Sequence, residues 1–383
     1  MAVTLLITSK TLQPLGDPLD GWSNLAAEVR FNEPGTGTVD LPAWPEVVEL
    51  LQPGNRLVVI RDGAIWMAGP LEEPQSGEWS ADGEADPGVV KAAFSDDLAR
   101  VAGYVTYPNP AATFESQTTA SEATRQITAT GAGSIIRTLV DENCGPGALS
   151  ARRIEQMVLD SATGIGSSTA ITTRFEPLID ACRTVASGDG LGFRTVQVGD
   201  QIHFQVYEPQ DLTATARFSR DLGNLRAYNY TLAAPTATSQ LVIGGDEGSR
   251  AFVEVTSGAH ADWYRVEKVV DQSGTTNANG ELTQAGALEF GNDNPTASLS
   301  TVTVDTEDLR AGIDFGLGDK VSVVLPTGLE VADIVRSIRL DVSPNEGELV
   351  TSVIGTGDQT TDTRLVKQIR TLARRLGRVE TRR

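Results

Sequence analysis

Histidine and cysteine are almost missing from this chain, with two of each in 383 residues. His203 and His260 are too few for a His-built metal site, and neither has a cysteine at ligand spacing. Cys144 and Cys182 are no disulfide framework. No cofactor and no metal are therefore expected. No apolar run approaches the roughly 20 residues of a membrane span, so no span is expected. Met1 to Lys10 lacks a basic stretch ahead of a long apolar core, which makes it a poor signal peptide. Positive charge is short as well: 31 Lys and Arg stand against 51 Asp and Glu, a net of −20. An acidic surface of that size repels phosphates, which excludes a basic reader of nucleic acid. Lysine is the scarcer base, five against 26 arginines, and with abundant Ala and Gly this suggests a GC-rich coding genome.

What is present favours strands. Gly numbers 38, Ser, Thr and Val are plentiful, and the length suits two to four domains. Charge is unevenly placed. Residues 365–383 hold seven Lys and Arg against Glu380 alone, a net of +6, which leaves −26 for the other 364 residues. In the same stretch Leu365, Ile369, Leu372, Leu376 and Val379 recur with the spacing of a heptad helix, Ile369 and Leu376 at a and the other three at d. These five are the candidate interaction residues. Two heptads span only about 22 Å, and Gly377 costs about 1 kcal/mol relative to Ala, so the segment does not associate alone. Two partners suit its seam: equivalent helices of other copies, or a domain of the same chain.

Along the chain, Leu57–Ile60 and Ala64–Ala68 flank Asp62-Gly63, a tight-hairpin signal. A two-residue loop would pair Ile60 with Ile65 and Val58 with Met67. A short helix is expected over Glu46–Leu51. Residues 72–88, with six acids and no base, read as a solvated loop. Their acids lack the regular spacing of a calcium loop. Ile135, Ile136, Leu139 and Val140 share a helical face closed by Gly145-Pro146. A second helix is expected from Glu176 to Ser187, with Pro177 in its first turn, Gly188 at its end and Cys182 in its core stripe. Val196 and Val198 would share a face with Ile202, Phe204 and Val206 across a loop Gly199-Asp200-Gln201, leaving His203 on the other face as a solvent-facing or satisfied imidazole. Strands are then expected over Ala227–Leu232, Gln240–Ile243, Ala251–Val255, Thr301–Val304, Lys320–Leu325, Ser337–Val342 and Thr351–Ile354. A polar, partly helical excursion lies between about 260 and 295.

Sites for chemistry are hard to find. Gly164-Ile165-Gly166 and Gly188-Asp189-Gly190-Leu191-Gly192 complete neither a dinucleotide nor a phosphate loop, and no Gly-x-Ser-x-Gly occurs. Asp96-Asp97 and Glu72-Glu73 could serve glycoside hydrolysis. Among 51 acids such pairs arise by chance, and Asp97 reads as a helix-start acid before Leu98. No catalytic residue is assigned.

The stretch Phe94-Ser95-Asp96-Asp97-Leu98 through Tyr107-Pro108-Asn109-Pro110 resembles a signature of tail hub proteins from long-tailed actinobacterial phages. Further matches follow in the family's order: Arg174-Phe175-Glu176-Pro177-Leu178, Gly190-Leu191-Gly192-Phe193, Asp211-Leu212-Thr213, Phe218 to Leu225, and Phe315-Gly316-Leu317-Gly318-Asp319-Lys320-Val321. The resemblance implies a mainly β fold with an α+β insertion, related to contractile-phage baseplate hubs. Its layout here would be a tube-like β-barrel over 1–92, a mixed α/β domain over 93–216, a second tube-like barrel over 217–358 with the 260–295 excursion, and a linker with the heptad helix over 359–383. It implies a homotrimer closing the distal end of the tail tube, at the virion tail tip, with a channel for DNA. The implied partners are the distal tail or tail tube protein, the tape measure protein, and fibre or spike proteins. The Phe315–Val321 motif would be a turn, its glycines serving backbone geometry. Wall digestion or host recognition would belong to other proteins. A hub of a phage-derived contractile injection system and a secreted carbohydrate-active enzyme are the alternatives.

Overall fold

A computed structural model describes residues 3–78, 88–117, 124–245, 250–272, 282–283, 286, 289, 296–344 and 347–355. They divide into two compact units. One holds the described residues of 3–227 and 301–355; the other holds those of 228–300.

The larger unit begins with β1 (Val3–Thr8), β2 (Leu25–Arg30), β3 (Glu33–Pro42), α1 (Pro45–Leu50), β4 (Arg56–Arg61), β5 (Ala64–Glu78), β6 (Val89–Ser95) and α2 (Leu98–Ala102). The β4–β5 turn is the expected one: Asp62 and Gly63 both have left-handed φ, 51° and 82°, and Ile60 pairs with Ile65. Beyond that pair the expected register fails. Trp66 is an extra residue, so Met67 lies opposite Val59 and Val58 opposite Ala68. The bulge leaves Trp66 beside the Arg61 guanidinium, 5.2 Å from its ring centroid.

The acidic stretch expected to be a loop from residue 72 is strand as far as Glu78, paired with β6 from Leu71↔Phe94 to Glu78↔Val89. Glu72 and Glu73 are exposed, and Pro74 falls in a bulge, where no ladder N–H is needed. Residues 79–87 lie outside the described ones.

The middle of the chain supplies β7 (Arg125–Gly131), α3 (Ala132–Asn143), β8 (Met157–Leu159), β9 (Ser168–Thr173), α4 (Leu178–Asp189), β10 (Gly192–Val198) and β11 (Gln201–Tyr207). The apolar stripes of α3 and α4 meet in one core with Phe193, Phe204 and Val206. Pro177 precedes α4, and Gly190, at φ 66°, ends it two residues later than expected. The β10–β11 hairpin has a two-residue loop, Gly199-Asp200, so Val196 opposes His203, and Phe193 opposes Val206. Phe193, not the two valines, faces the helices, and Val198 is 54% exposed. Cys182 is buried as expected.

The chain continues through β12 (Arg217–Ser219) and β13 (Leu225–Ala233), along which it passes into the smaller unit. There β14 (Ser239–Gly244), β15 (Ala251–Thr256) and β16 (Glu267–Gln272) make a sheet of order β15-β14-β16 among the described residues. Its core joins Val242 and Val270 to Leu282. The expected polar excursion is thus partly strand, since β16 lies within it.

The chain returns by β17 (Thr296–Val304), then β18 (Lys320–Val324), β19 (Glu330–Ser343) and β20 (Gly347–Ile354). The main ladder runs β1-β4-β5-β6-β3-β2-β19-β20-β17-β13, with β18 and β12 branching from β19. The long strand β19 pairs with β18 over its first five residues, with β20 from Val335 onward through a bulge at Arg336, and with β2 beyond that bulge. Strands from 1–92 and 217–358 therefore join directly, Leu25↔Val342 through Arg30↔Ser337. No ladder among the described residues closes into a barrel. The fold is mainly β, with few helices.

Candidate functional site: the signature junction and its exposed faces

The Asp96-Asp97 pair sits where β6 turns into α2. Asp97 donates its N–H to Ala68 O at 3.0 Å and Asp96 to Gly35 O at 3.2 Å, which clamps the turn between β5 and β3. Such close passage needs bare backbone. A Cβ on Gly69 would lie 2.2 Å from Ser95 O, and one on Gly37 would lie 2.2 Å from Phe94 Cζ.

The two carboxylates have separate structural jobs. Asp97 stands at the start of α2, directly before Leu98 as expected, but its side chain makes no cap bond there; Asp96 Oδ1 accepts the Leu98 N–H at 3.0 Å. Asp97 is paired with Arg56, both side chains 2% exposed, and Arg56 also donates to Thr8 Oγ1 (3.2 Å) and Gln197 Oε1 (3.1 Å). Burial pushes the Asp96 carboxyl up to about 7, against the backbone N–H donors that favour its charge. Burial also pushes the Asp97 carboxyl up and the Arg56 guanidinium down, while each holds the other charged. Acid–base work on a sugar requires carboxylates facing a substrate cleft; these face the interior.

The remaining motifs build further junctions. Asn32, at the β2–β3 turn with φ 56°, donates to Leu191 O at 2.9 Å and accepts the Phe193 N–H at 2.8 Å, while Arg183 Nε donates to its carbonyl. This ties the ladder to the α4–β10 connection. Gly318 has φ 83°, and a Cβ there would lie 2.3 Å from the Phe31 ring, which gives this glycine of the Phe315–Val321 turn its expected backbone role. Asp319 accepts the Gln210 N–H (2.7 Å) and the Gly316 N–H (2.8 Å), and Tyr207 donates to Leu317 O (3.0 Å). Asn224 bonds Ser219 N–H and Arg217 O, closing the Phe218–Leu225 turn.

Other candidates resolve locally. His203 bonds Asp160 at 2.7 Å and is a satisfied imidazole. Burial pushes the Cys144 thiol up to about 12 and the Cys182 thiol up further, which removes the thiolate a nucleophile needs. The seam residues Leu365, Ile369, Leu372, Leu376 and Val379 lie outside the described residues.

Two exposed features were not among the candidate sites of the sequence. Tyr107, Phe114 and Phe175 cluster with ring centroids 6.0–6.1 Å apart, and Arg152 stacks 3.6 Å over Tyr107. Phe114 is 62% exposed, and Phe175 takes a left-handed φ of 49°. Elsewhere Arg61 bonds Glu348 at 2.7 Å and lies 3.6 Å from Asp305, in a cleft of about 460 Å³ that Thr306, Glu307 and Arg310 also line. Burial pushes the Asp305 carboxyl up to about 6. Both features join groups far apart in sequence, Tyr107 to Phe175 and Arg61 to Glu348, which a linear reading does not connect.

The described residues hold no group of acids, histidines or cysteines placed for a metal ion, and no helix among them is long and apolar enough to cross a membrane. The signature motifs lock strand junctions, and the fold they hold together is similar to that of phage tail proteins. It is similar to the 43 kDa tail protein of prophage MuSo2 from Shewanella oneidensis, at 12% identity and TM-score 0.58 over 92% of this chain and 97% of that one. It is also similar to a tail protein from Neisseria meningitidis MC58, at 13% identity and TM-score 0.54 over 93% and 97%. No curated protein sequence matches the chain. The chain belongs to the Siphovirus ReqiPepy6 Gp37-like protein family, whose model matches residues 4–356.

Proposed function

We propose that the protein is a structural component of the virion tail, a hub at the distal end of the tail tube that joins the tube to the distal tail protein and to fibre or spike proteins. The observation that carries this reading is the family match over residues 4–356, together with the buried junctions into which the ordered motifs fold. Three copies form the ring, each contributing two tube-like modules, one from each arm of the ladder that meets at β2 and β19. Three pairs of modules then meet a six-fold tube. The acidic body, net −26 without residues 365–383, lines a channel that repels DNA and lets it pass. No step of this role needs catalysis or a cofactor.

Electron microscopy of purified particles, with an antibody against the protein, tests the reading. Label at the tail tip and a three-fold ring on the tube axis are the expected result. Absence of the protein from purified particles, or label along the tube or at the head, would overturn it.

A further inference from the structure

The cleft at Arg61 joins parts of the chain that lie far apart in sequence. Arg61 ends β4, Asp305 directly follows β17, and Glu348 lies in β20. The early and late stretches of the larger unit thus meet here through side chains, as they do through backbone at β2 and β19. Residues 305–315 form the loop side of the cleft. Asp305 donates its N–H to Val350 O at 3.3 Å and accepts the Ala311 N–H on Oδ1 at 3.1 Å. The Arg310 N–H bonds Asp314 Oδ2 at 2.7 Å. Leu309, Ala311 and Phe315 are buried, and a Cβ on Gly312 would lie 4.0 Å from the Trp66 ring. The loop is a strap set against the β4–β5 hairpin.

Its fastening is one positive charge short. A single guanidinium stands between two carboxylates, nearer Glu348 (2.7 Å) than Asp305 (3.6 Å). Glu307 and Arg310, the other charged groups lining the cleft, offset one another. Asp305 Oδ2 and Glu348 Oε2 are buried without a hydrogen-bond donor among the described residues. Such a pair is held more cheaply with one proton than with none, and the longer contact puts that proton on Asp305. Burial pushes this carboxyl up to about 6, with Glu348 adding to the rise, against the Ala311 N–H and Arg61, which favour its charge. We propose that the strap is a pH-sensitive latch between the β4–β5 hairpin and the β17–β20 end of the ladder, fastened in mild acid and loosened toward neutral pH. The fastened cleft binds the proton more tightly than the open loop, where Asp305 returns to its ordinary 3.8. The hold is therefore fully present below 3.8 and is lost as pH rises through about 6. Loosening releases Leu309 and uncovers Trp66 while the sheet stays paired.

Amide hydrogen exchange of the full chain across roughly pH 4 to 7 tests this, each rate divided by the intrinsic rate at that pH. Ala311 N–H is held by Asp305 and Gly312 N–H by Phe315 O at 2.8 Å. Protection of these two amides is expected to fall at least about tenfold, and up to about a hundredfold, over that range. Asp305→Asn keeps the Oδ1 acceptor and cannot titrate, so the same amides should lose the dependence. In Glu348→Gln the guanidinium is freed for Asp305, and the fall in protection should move to lower pH. Flat protection in the wild type would overturn the proposal. A pH dependence that Asp305→Asn retains would do the same, as would a midpoint that Glu348→Gln leaves in place. None of these readouts depends on the tail-hub reading, which the particle imaging tests by itself.

Discussion

Arg56 is sealed among Asp97, Thr8 and Gln197 at 2% exposure, in the wall between the ladder and the α/β part. Removing one partner of such a pair strands the other charge. Arg56→Ala is expected to cost about 3–5 kcal/mol in urea unfolding, and Arg56→Met combined with Asp97→Leu well under the sum of the two single changes. Asp96 behaves differently, because its neighbours are mostly backbone. Its folded pKa of about 7 lies above its ordinary 3.8, so between those values the folded state binds the extra proton. That contribution to stability is greatest at low pH and is lost as pH rises through 7. Relative to Asp96→Asn, the wild type should therefore lose up to about 1.4 kcal/mol per pH unit across that window. A stability difference that stays flat from pH 4.5 to 7.5 would contradict the assignment. In sequence these two residues were legible as a motif, and their carboxylates' separate tasks were not. Nothing in Asp-Asp-Leu says that an arginine 41 residues earlier arrives beside the second acid.

At the scale of elements, turns that need left-handed backbone were readable and the faces they impose were less so. Asp62-Gly63 marked its hairpin, yet the Trp66 bulge shifted the pairing one residue beyond it. Gly199-Asp200 marked the second hairpin, where matching apolar residues favoured one more loop residue than the chain uses. Burial under α3 and α4 outweighs that match by turning Phe193 inward. The acidic half of β5 was hidden by its composition, since strand propensity is low for glutamate and the pairing comes from β6. Asn32 was missed because its role is tertiary. It carries both the left-handed φ of the β2–β3 turn and two hydrogen bonds to the α4–β10 connection. Asn32→Gly keeps the backbone and loses the bonds, while Asn32→Ala loses both. The expected costs are about 1–3 kcal/mol for glycine, with a further ~1 kcal/mol for alanine. Amide exchange should quicken at Leu191 to Phe193 in both variants.

For the whole molecule, fold class was visible in the succession of strands, helices and strands, but the direct β2–β19 pairing was not. Residues 25–30 and 337–342 are separated by three hundred positions, and their union rests on a ladder that neither stretch announces. Charge, by contrast, is a whole-chain property that the sequence states outright. Copies at −20 repel one another, and every copy added to a ring meets that repulsion. Screening shortens its range from about 30 Å at 0.01 M salt to about 8 Å at 0.15 M, while side-to-side contacts between modules are short-ranged and survive. Ring closure should therefore be promoted by salt, the reverse of what an assembly held by opposite charges does. In mass photometry of the full chain, the fraction at three times 40.6 kDa is expected to rise between those two ionic strengths. Double-stranded DNA added at either should leave the mass unchanged. A single-copy mass at every ionic strength, with and without tail tubes present, would count against the trimer. A DNA-bound species at low salt would count against the acidic channel.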